Sequence, residues 1–304
     1  MAYIDIKNLT KKYQDRSGIF DINLSIAKGE CLGIIGINGA GKSTLIRHLM
    51  GFCKPRTGSI TIDNLDAWKD AAKLKERIAY IPGEIGFPPA STGTAFLNHV
   101  AELEGVKKHY RTKELIKILN LDIDARLKTM SKGMKQKTAI IASFIKNKDI
   151  LIFDEPTTGL DPLMRDAFVN LLLEQKALGK TIIFSTHIFL EAERVCNNVI
   201  FLNEGKIIDR VALNSIRFSD TKKYRIGFAK TEDVDSFVKT AKKLLINATK
   251  DAHSIQVIVQ IANKNINQFM NILQNFSIKF ITEIKPTLHA HFLKMLKNTT
   301  HSVV

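Results

Sequence analysis

Gly36-Ile37-Asn38-Gly39-Ala40-Gly41-Lys42-Ser43-Thr44 is the stretch whose reading decides the fold. It fits the phosphate-loop pattern G-x-x-x-x-G-K-[ST], with a spare hydroxyl at Thr44. The glycines let the backbone curl until successive N–H groups point at one anion. Lys42 adds a mobile positive charge for β- and γ-phosphates, and Ser43 offers a hydroxyl to Mg²⁺. The flanks supply the required context. Cys31 to Ile35 is an apolar, strand-like run, and Ser43 to Met50 reads as a helix closed by Gly51. Strand, loop and helix in that order aim the helix dipole at the anion.

The 304 residues make one large domain or two, and an apolar content of 45% suffices for a full core. No apolar run reaches the length of a membrane span. Met1 to Asp5 has neither a basic region nor an apolar stretch, so no signal peptide is expected. Cys31, Cys53 and Cys196 lack C-x-x-C spacing, which suits a reducing cytoplasm and argues against a disulfide framework or a zinc site. The net charge is +15, of which residues 216–304 carry +8. A basic surface suits nucleic acid, an anionic membrane leaflet, or solvent alone.

Around the loop, Ile4 and Ile6 alternate with polar neighbours, as do Phe20, Ile22, Leu24 and Ile26. These predict half-buried strands, joined by another at Ile60 and Ile62, in an antiparallel layer. From about Ser91 to Lys146 the apolar spacing turns helical, at Phe96, Val100 and Leu103 and again at Leu115, Ile118 and Leu119. Ile150 to Phe153 and Thr181 to Phe184 have the continuous apolar character of buried parallel strands. Val199 to Leu202 and Lys206 to Asp209 read as closing strands. A second unit is expected from near Ile216. There alternating and helical segments, with a short strand at Ile246 to Thr249, spell β-α-β-β-α-β, a split βαβ sandwich, before a closing helix at Leu288, Phe292 and Met295.

The carboxylates needed beside a phosphate loop stand at Asp154-Glu155, directly after the buried run Ile150 to Phe153. Asp154 is placed to hold Mg²⁺, and Glu155 to polarise the water that attacks the γ-phosphorus. Pro156-Thr157-Thr158-Gly159-Leu160-Asp161 follows at once.

With these motifs in order, residues 1 to about 215 resemble the ATP-binding subunits of ABC transporters. Gly36 to Thr44 is similar to the Walker A motif and Ile150 to Glu155 to Walker B with its catalytic glutamate. Met130-Ser131-Lys132-Gly133-Met134-Lys135-Gln136 resembles the family signature. The resemblance implies that Ser131 and Gly133 bind the γ-phosphate of ATP held by the opposite subunit. Gly159-Leu160-Asp161 resembles the D-loop, and Ser185-Thr186-His187 the switch histidine. Tyr13 stands where the family places an aromatic on adenine. Each has a plainer reading: Ser131 as a helix N-cap, Tyr13 as an edge-strand aromatic, His187 as a surface histidine.

Two departures stand out. Gly83-Glu84 replaces the family's usual Gln after the strand Ala79-Tyr80-Ile81, which leaves Glu84 as the candidate Mg²⁺ or water contact. The signature carries Lys132 and Met134 where Gly and Gln are commonest. Its S-K-G-M-K-Q form, and the size and pattern of residues 216–304, resemble bacterial exporters of the ABC-2 type.

The resemblance implies an α/β P-loop ABC ATPase fold: a parallel core sheet, an antiparallel β-layer and a helical subdomain at about 85–146, within residues 1–215. A C-terminal α+β ferredoxin-like accessory domain would fill 216–304. It further implies an Mg-dependent ATPase that works as a homodimer or heterodimer. Its partner would be a separate integral membrane permease, met around Glu84 to Gly105, which would hold the subunit at the inner face of the cell membrane. Lysines near the membrane would meet anionic lipid there. The rival is a soluble ABC-type ATPase acting on nucleic acid or the ribosome. One phosphate loop and no sustained heptads speak against it.

Overall fold

The computed structural model describes residues 2–13, 17–87, 92–106, 110–145, 147–217, 220–243, 247–250 and 255–300. In chain order the first unit, Met1–Leu213, contains β1 (Ile4–Lys12), β2 (Gly18–Ile26), β3 (Cys31–Ile35), α1 (Lys42–Leu49), β4 (Thr57–Ile62), β5 (Leu65–Asp66), α2 (Ala71–Lys75) and β6 (Ile78–Ile81). The helices α3 (Gly93–Leu103), α4 (Tyr110–Ile118) and α5 (Lys132–Ser143) follow. It closes with β7 (Ile150–Asp154), α6 (Pro162–Ala177), β8 (Thr181–Thr186), α7 (Phe189–Val195), β9 (Asn198–Asn203) and β10 (Lys206–Ala212). The boundary to the second unit falls at the start of α8 (Leu213–Arg217).

The main sheet runs β10-β9-β3-β8-β7-β6. All its pairings are parallel except that of β10 with β9. Every residue of β3, β7 and β8 is buried. Their unbroken apolar runs follow from burial on both faces. The antiparallel layer is β2-β1-β4-β5. Leu45, Ile46 and Leu49 of α1 share one core cluster with Ile4 and Ile22 of that layer and Ile34 and Ile152 of the main sheet. The helix after the phosphate loop is therefore fixed from both sides.

One expected alternation slips. Ile19 is fully buried while Phe20 is only half-buried. Leu9 pairs with Ile22 but Lys11 pairs with Ile19, so β2 carries one extra residue there. Asp21 absorbs it at φ 51°. Such a bulge moves the residues beyond it to the opposite face.

The second unit runs β11 (Thr221–Phe228), α9 (Thr231–Lys243), β12 (Asn247–Lys250), β13 (Gln256–Ala262), α10 (Ile266–Leu273), β14 (Ile278–Glu283) and α11 (Leu288–Thr300). Its sheet order, β12-β13-β11-β14, is antiparallel throughout. That is the split βαβ sandwich expected from the alternating and helical segments. Its own core joins Tyr224, Ile226, Phe228, Phe237 and Phe269. Ser91, Lys146 and Ile246, named above as element ends, lie outside the described residues. Among the described residues no helix is long and apolar enough to cross a membrane.

Candidate nucleotide site

Parallel pairing is what assembles the site. Ile35 of β3 lies beside Thr186 of β8, and Ser185 of β8 beside Asp154 of β7. The residues that follow these strands therefore meet at one carboxyl edge, where open α/β sheets hold their ligands. Gly36 leaves β3 there because it has no side chain. A Cβ would stand 2.4 Å from the Leu202 carbonyl oxygen of β9. Gly39 and Gly41 turn the loop at φ 81° and 104°, a region costly for residues with a Cβ.

The loop borders a cavity of about 720 Å³ lined by Asn38, Gly39, Gly41, Lys42, Ser43, Thr44, Glu84, Asp154 and Glu155, together with Arg47, Tyr80 and Gly83. Gly36 and Ala40 are buried beneath it. Lys42 is buried; its ammonium donates to the carbonyls of Gly36 (2.8 Å) and Ile37 (3.1 Å) and pairs with Glu155 Oε1 at 3.2 Å. His187 Nδ1 lies 3.4 Å from Glu155 Oε2, and the Thr158 hydroxyl donates to the same oxygen at 3.2 Å. Glu155 itself is held at φ 47°, a strained conformation of the kind that gathers at functional sites. Burial pushes its carboxyl up, but Lys42, His187 and Thr158 together outweigh burial and hold it below the ordinary carboxylate value.

Asp154 is buried, and its Oδ1 accepts a 2.6 Å hydrogen bond from Ser185 Oγ. The same Ser185 oxygen accepts from the Glu155 N–H at 2.9 Å. Ser185 thus braces both acids. Its only sequence signal was its place before Thr186-His187. The other Asp154 oxygen, Oδ2, faces Gly83, 3.1 Å from where a Cβ would sit. The exposed Ser43 hydroxyl, the Asp154 carboxylate and the exposed Glu84 are hard oxygen donors on one cavity. Among the described residues no cluster of three His, Cys, Asp or Glu forms a closed metal cage. One or two protein carboxylates beside phosphate oxygens is the donor set that suits Mg²⁺.

Arg47 and Tyr80 were not singled out from sequence. Arg47 stands five residues beyond Lys42 on α1, and Tyr80 lies on β6. Burial, with the Asp154 charge adding to it, pushes the Tyr80 phenol up to about 12, against the pull of Arg47. Tyr13 lies beside the cavity, half-exposed, with its hydroxyl against Thr44 and the Lys11 ammonium 5.8 Å from its ring.

Ser131, Gly133 and Asp161 do not line this cavity. Ser131 Oγ caps α5 by accepting from Met134 N at 3.2 Å, and Asp161 Oδ1 caps α6 by accepting from Met164 N at 2.9 Å. Ser131 and Asp161 are exposed. Gly133 packs so closely on the Gly159 carbonyl that a Cβ would stand 2.8 Å from it.

A phosphate loop at the carboxyl edge of a doubly wound sheet, with paired acids two strands away, defines a P-loop nucleotide hydrolase. Its family is specific. A family model described as ABC transporter matches residues 19–158. The ABC transporter ATP-binding protein NatA of Bacillus subtilis (strain 168) is 36% identical over 227 residues, 71% of this chain and 92% of NatA. YdbJ of the same organism, an uncharacterised ABC transporter ATP-binding protein, is 29% identical over 301 residues, 96% of this chain and 94% of YdbJ. That likeness runs through both units. The dimeric structure of MJ0796, a bacterial ABC transporter cassette, shares 26% identity at a TM-score of 0.62, covering 69% of this chain and 98% of that one. The chain belongs to the ATP-binding proteins of ABC transporters. It is an ATP-binding and ATP-hydrolysing transporter subunit, and the soluble nucleic-acid reading gives way to that one.

Proposed function

We propose that this subunit hydrolyses Mg-ATP between two ATPase subunits and thereby drives export through a separate membrane permease. The observation that carries the reading is the convergence of Lys42 and His187 on Glu155 at the cavity, with Asp154, braced by Ser185, beside it. The loop N–H groups from Asn38 to Thr44 and the Lys42 ammonium take the β- and γ-phosphates. Tyr13 offers its ring to adenine. Ser43 and Asp154 hold Mg²⁺, with Glu84 as a further contact; when bound, that ion neutralises charge on the phosphate oxygens.

Glu155 orients and polarises the attacking water, and His187 lies beside it for the γ-phosphate. Lys42 serves Glu155 and the phosphates in turn. When its ammonium moves to phosphate, Glu155 loses its first cationic partner while its burial remains. Its basicity then rises towards that of a useful proton acceptor.

Ser131 and Gly133 lie outside the cavity of their own chain. We assign them to the nucleotide of a second subunit, with Asp161 at the same interface. A second copy or a related ATPase completes the pair, as the dimer of the MJ0796 cassette suggests. The permease docks on the groove lined by Ile85, Phe87, Phe96 and Val100, beside Tyr80. This contact keeps the subunit at the inner membrane face, where its lysines meet anionic lipid. Export is the direction implied by the S-K-G-M-K-Q signature.

Mixing Lys42→Ala with Ser131→Ala chains tests the shared site. Each variant alone is expected to be inactive. The mixture recovers hydrolysis, because one of its two sites keeps both residues. Failure of the mixture to exceed either variant would refute the arrangement.

A further inference from the structure

Behind His187 lies a carboxylate that the hydrolytic set does not use. Glu191 sits in the first turn of α7 and is only 5% exposed. Its Oε2 accepts a 2.8 Å hydrogen bond from Thr186 Oγ1. The Thr186 oxygen in turn accepts from the Ile188 N–H at 3.0 Å. His187 is thus flanked on both sides by groups tied through one hydroxyl to Glu191. The buried Thr157 hydroxyl, two residues beyond Glu155, leans on the same carboxylate.

This carboxylate is expensive. Among the described residues Glu191 Oε1 and Arg165 Nε are buried with no hydrogen-bond partner. Arg165 compensates Glu191 only through its charge, and burial pushes the Glu191 carboxyl up against that pull. A buried, half-satisfied acid costs stability that an apolar side chain would not. Such a cost at a catalytic edge points to a positional task.

We propose that Glu191 is a positioning residue for ATP hydrolysis. It ties the turn after β8, which carries His187, to the turn after β7, which carries Glu155, and so sets the 3.4 Å approach of the two side chains. This rests on the reading of Glu155 and His187 as the hydrolytic pair. Glu191 does not line the nucleotide cavity; it acts through Thr186 and Thr157.

The test uses the full chain with Glu191→Ala, Glu191→Gln, Thr186→Val and the Glu191→Ala/Thr186→Val double variant, beside His187→Ala. Glu191→Ala is expected to lower kcat by up to about 10²-fold with KM for ATP within about twofold. Glu191→Gln keeps an oxygen for Thr186 and restores most of kcat. Thr186→Val reproduces the loss, and the double variant loses no more than the worse single one. The His187 ring signals, followed by NMR without nucleotide, shift in Glu191→Ala and return in Glu191→Gln. Wild-type kcat and an unmoved His187 signal in Glu191→Ala would overturn the proposal. So would additive losses in the double variant. If Glu191→Ala fails to fold, Thr186→Val and Glu191→Gln decide by the same readouts. A His187→Ala variant with full kcat would instead sink the underlying reading of the site.

Discussion

Gln136 on α5 donates a buried 2.7 Å hydrogen bond from Nε2 to the carbonyl oxygen of Pro156, the residue directly after Glu155. The helix that Ser131 caps is thereby tied to the turn that carries Glu155. In a two-subunit arrangement, the N-terminus of α5 would serve one nucleotide while its buried side holds the acid that works on the other. Replacing Gln136 with Leu strands the Pro156 carbonyl. The expected cost is about 1–3 kcal/mol, with a fall in turnover because the Glu155 turn loses its anchor. Thermal melts and steady-state hydrolysis check both, and an unchanged melt would show that the bond contributes nothing.

Gly36 and Gly39 of the loop respond differently to an added methyl. At Gly36 it meets the Leu202 backbone at 2.4 Å, so β3 and β9 must separate. At Gly39 it meets nothing within 4 Å, and only the φ of 81° resists. Gly39→Ala is expected to cost about 1–2 kcal/mol, and Gly36→Ala about 3 kcal/mol or more. Denaturant melts of the two variants give the order directly.

Glu155→Gln keeps the shape of the side chain and removes its charge. Turnover should fall by about 10²–10⁴-fold, while ATP affinity stays within a few-fold because the loop and Lys42 remain. Lys42→Ala reverses the pattern and loses affinity first. Steady-state hydrolysis and equilibrium ATP binding separate the two. Unimpaired hydrolysis by Glu155→Gln would remove Glu155 from its role.

The pH response follows from the same contacts. The Glu155 carboxyl is held below its ordinary 4.5 by Lys42, His187 and Thr158 acting against burial. A depressed carboxylate stabilises the fold fully above the unfolded-state value. That contribution is lost as pH falls through the lower folded-state value. Wild-type stability should therefore draw on Glu155 down to about pH 4.5 and lose that share below it. In Lys42→Ala burial acts with its first cationic opponent gone, so the folded-state value rises and the acid-side loss owed to Glu155 is smaller than in the wild type. Urea melts from pH 4 to 7 on both proteins test the direction.

Much of this protein could be read from its residues in order. The phosphate loop, the acids at Asp154 and Glu155 and the apolar runs of β3, β7 and β8 are local patterns, and each forces its own geometry. A glycine-rich turn after a strand makes an anion cradle wherever it occurs. A strand of unbroken apolar residues needs cover on both faces. The alternating strands and amphipathic helices of the second unit made its split βαβ order legible in the same way.

What the order of residues left open was set by register. Ser185 braces Asp154 because β7 and β8 pair side by side, and Gln136 reaches Pro156 across 20 positions of chain. Arg47 and Tyr80 reach the cavity only once α1 and β6 are placed around it. The bulge at Asp21, which buries Ile19 in place of Phe20, depends on how β1 and β2 align. Periodicity reports which side of its own element a residue occupies. It carries no information about which atom of another element lies opposite. The chemistry of this site is therefore written in the sequence, and its geometry in the pairing of strands.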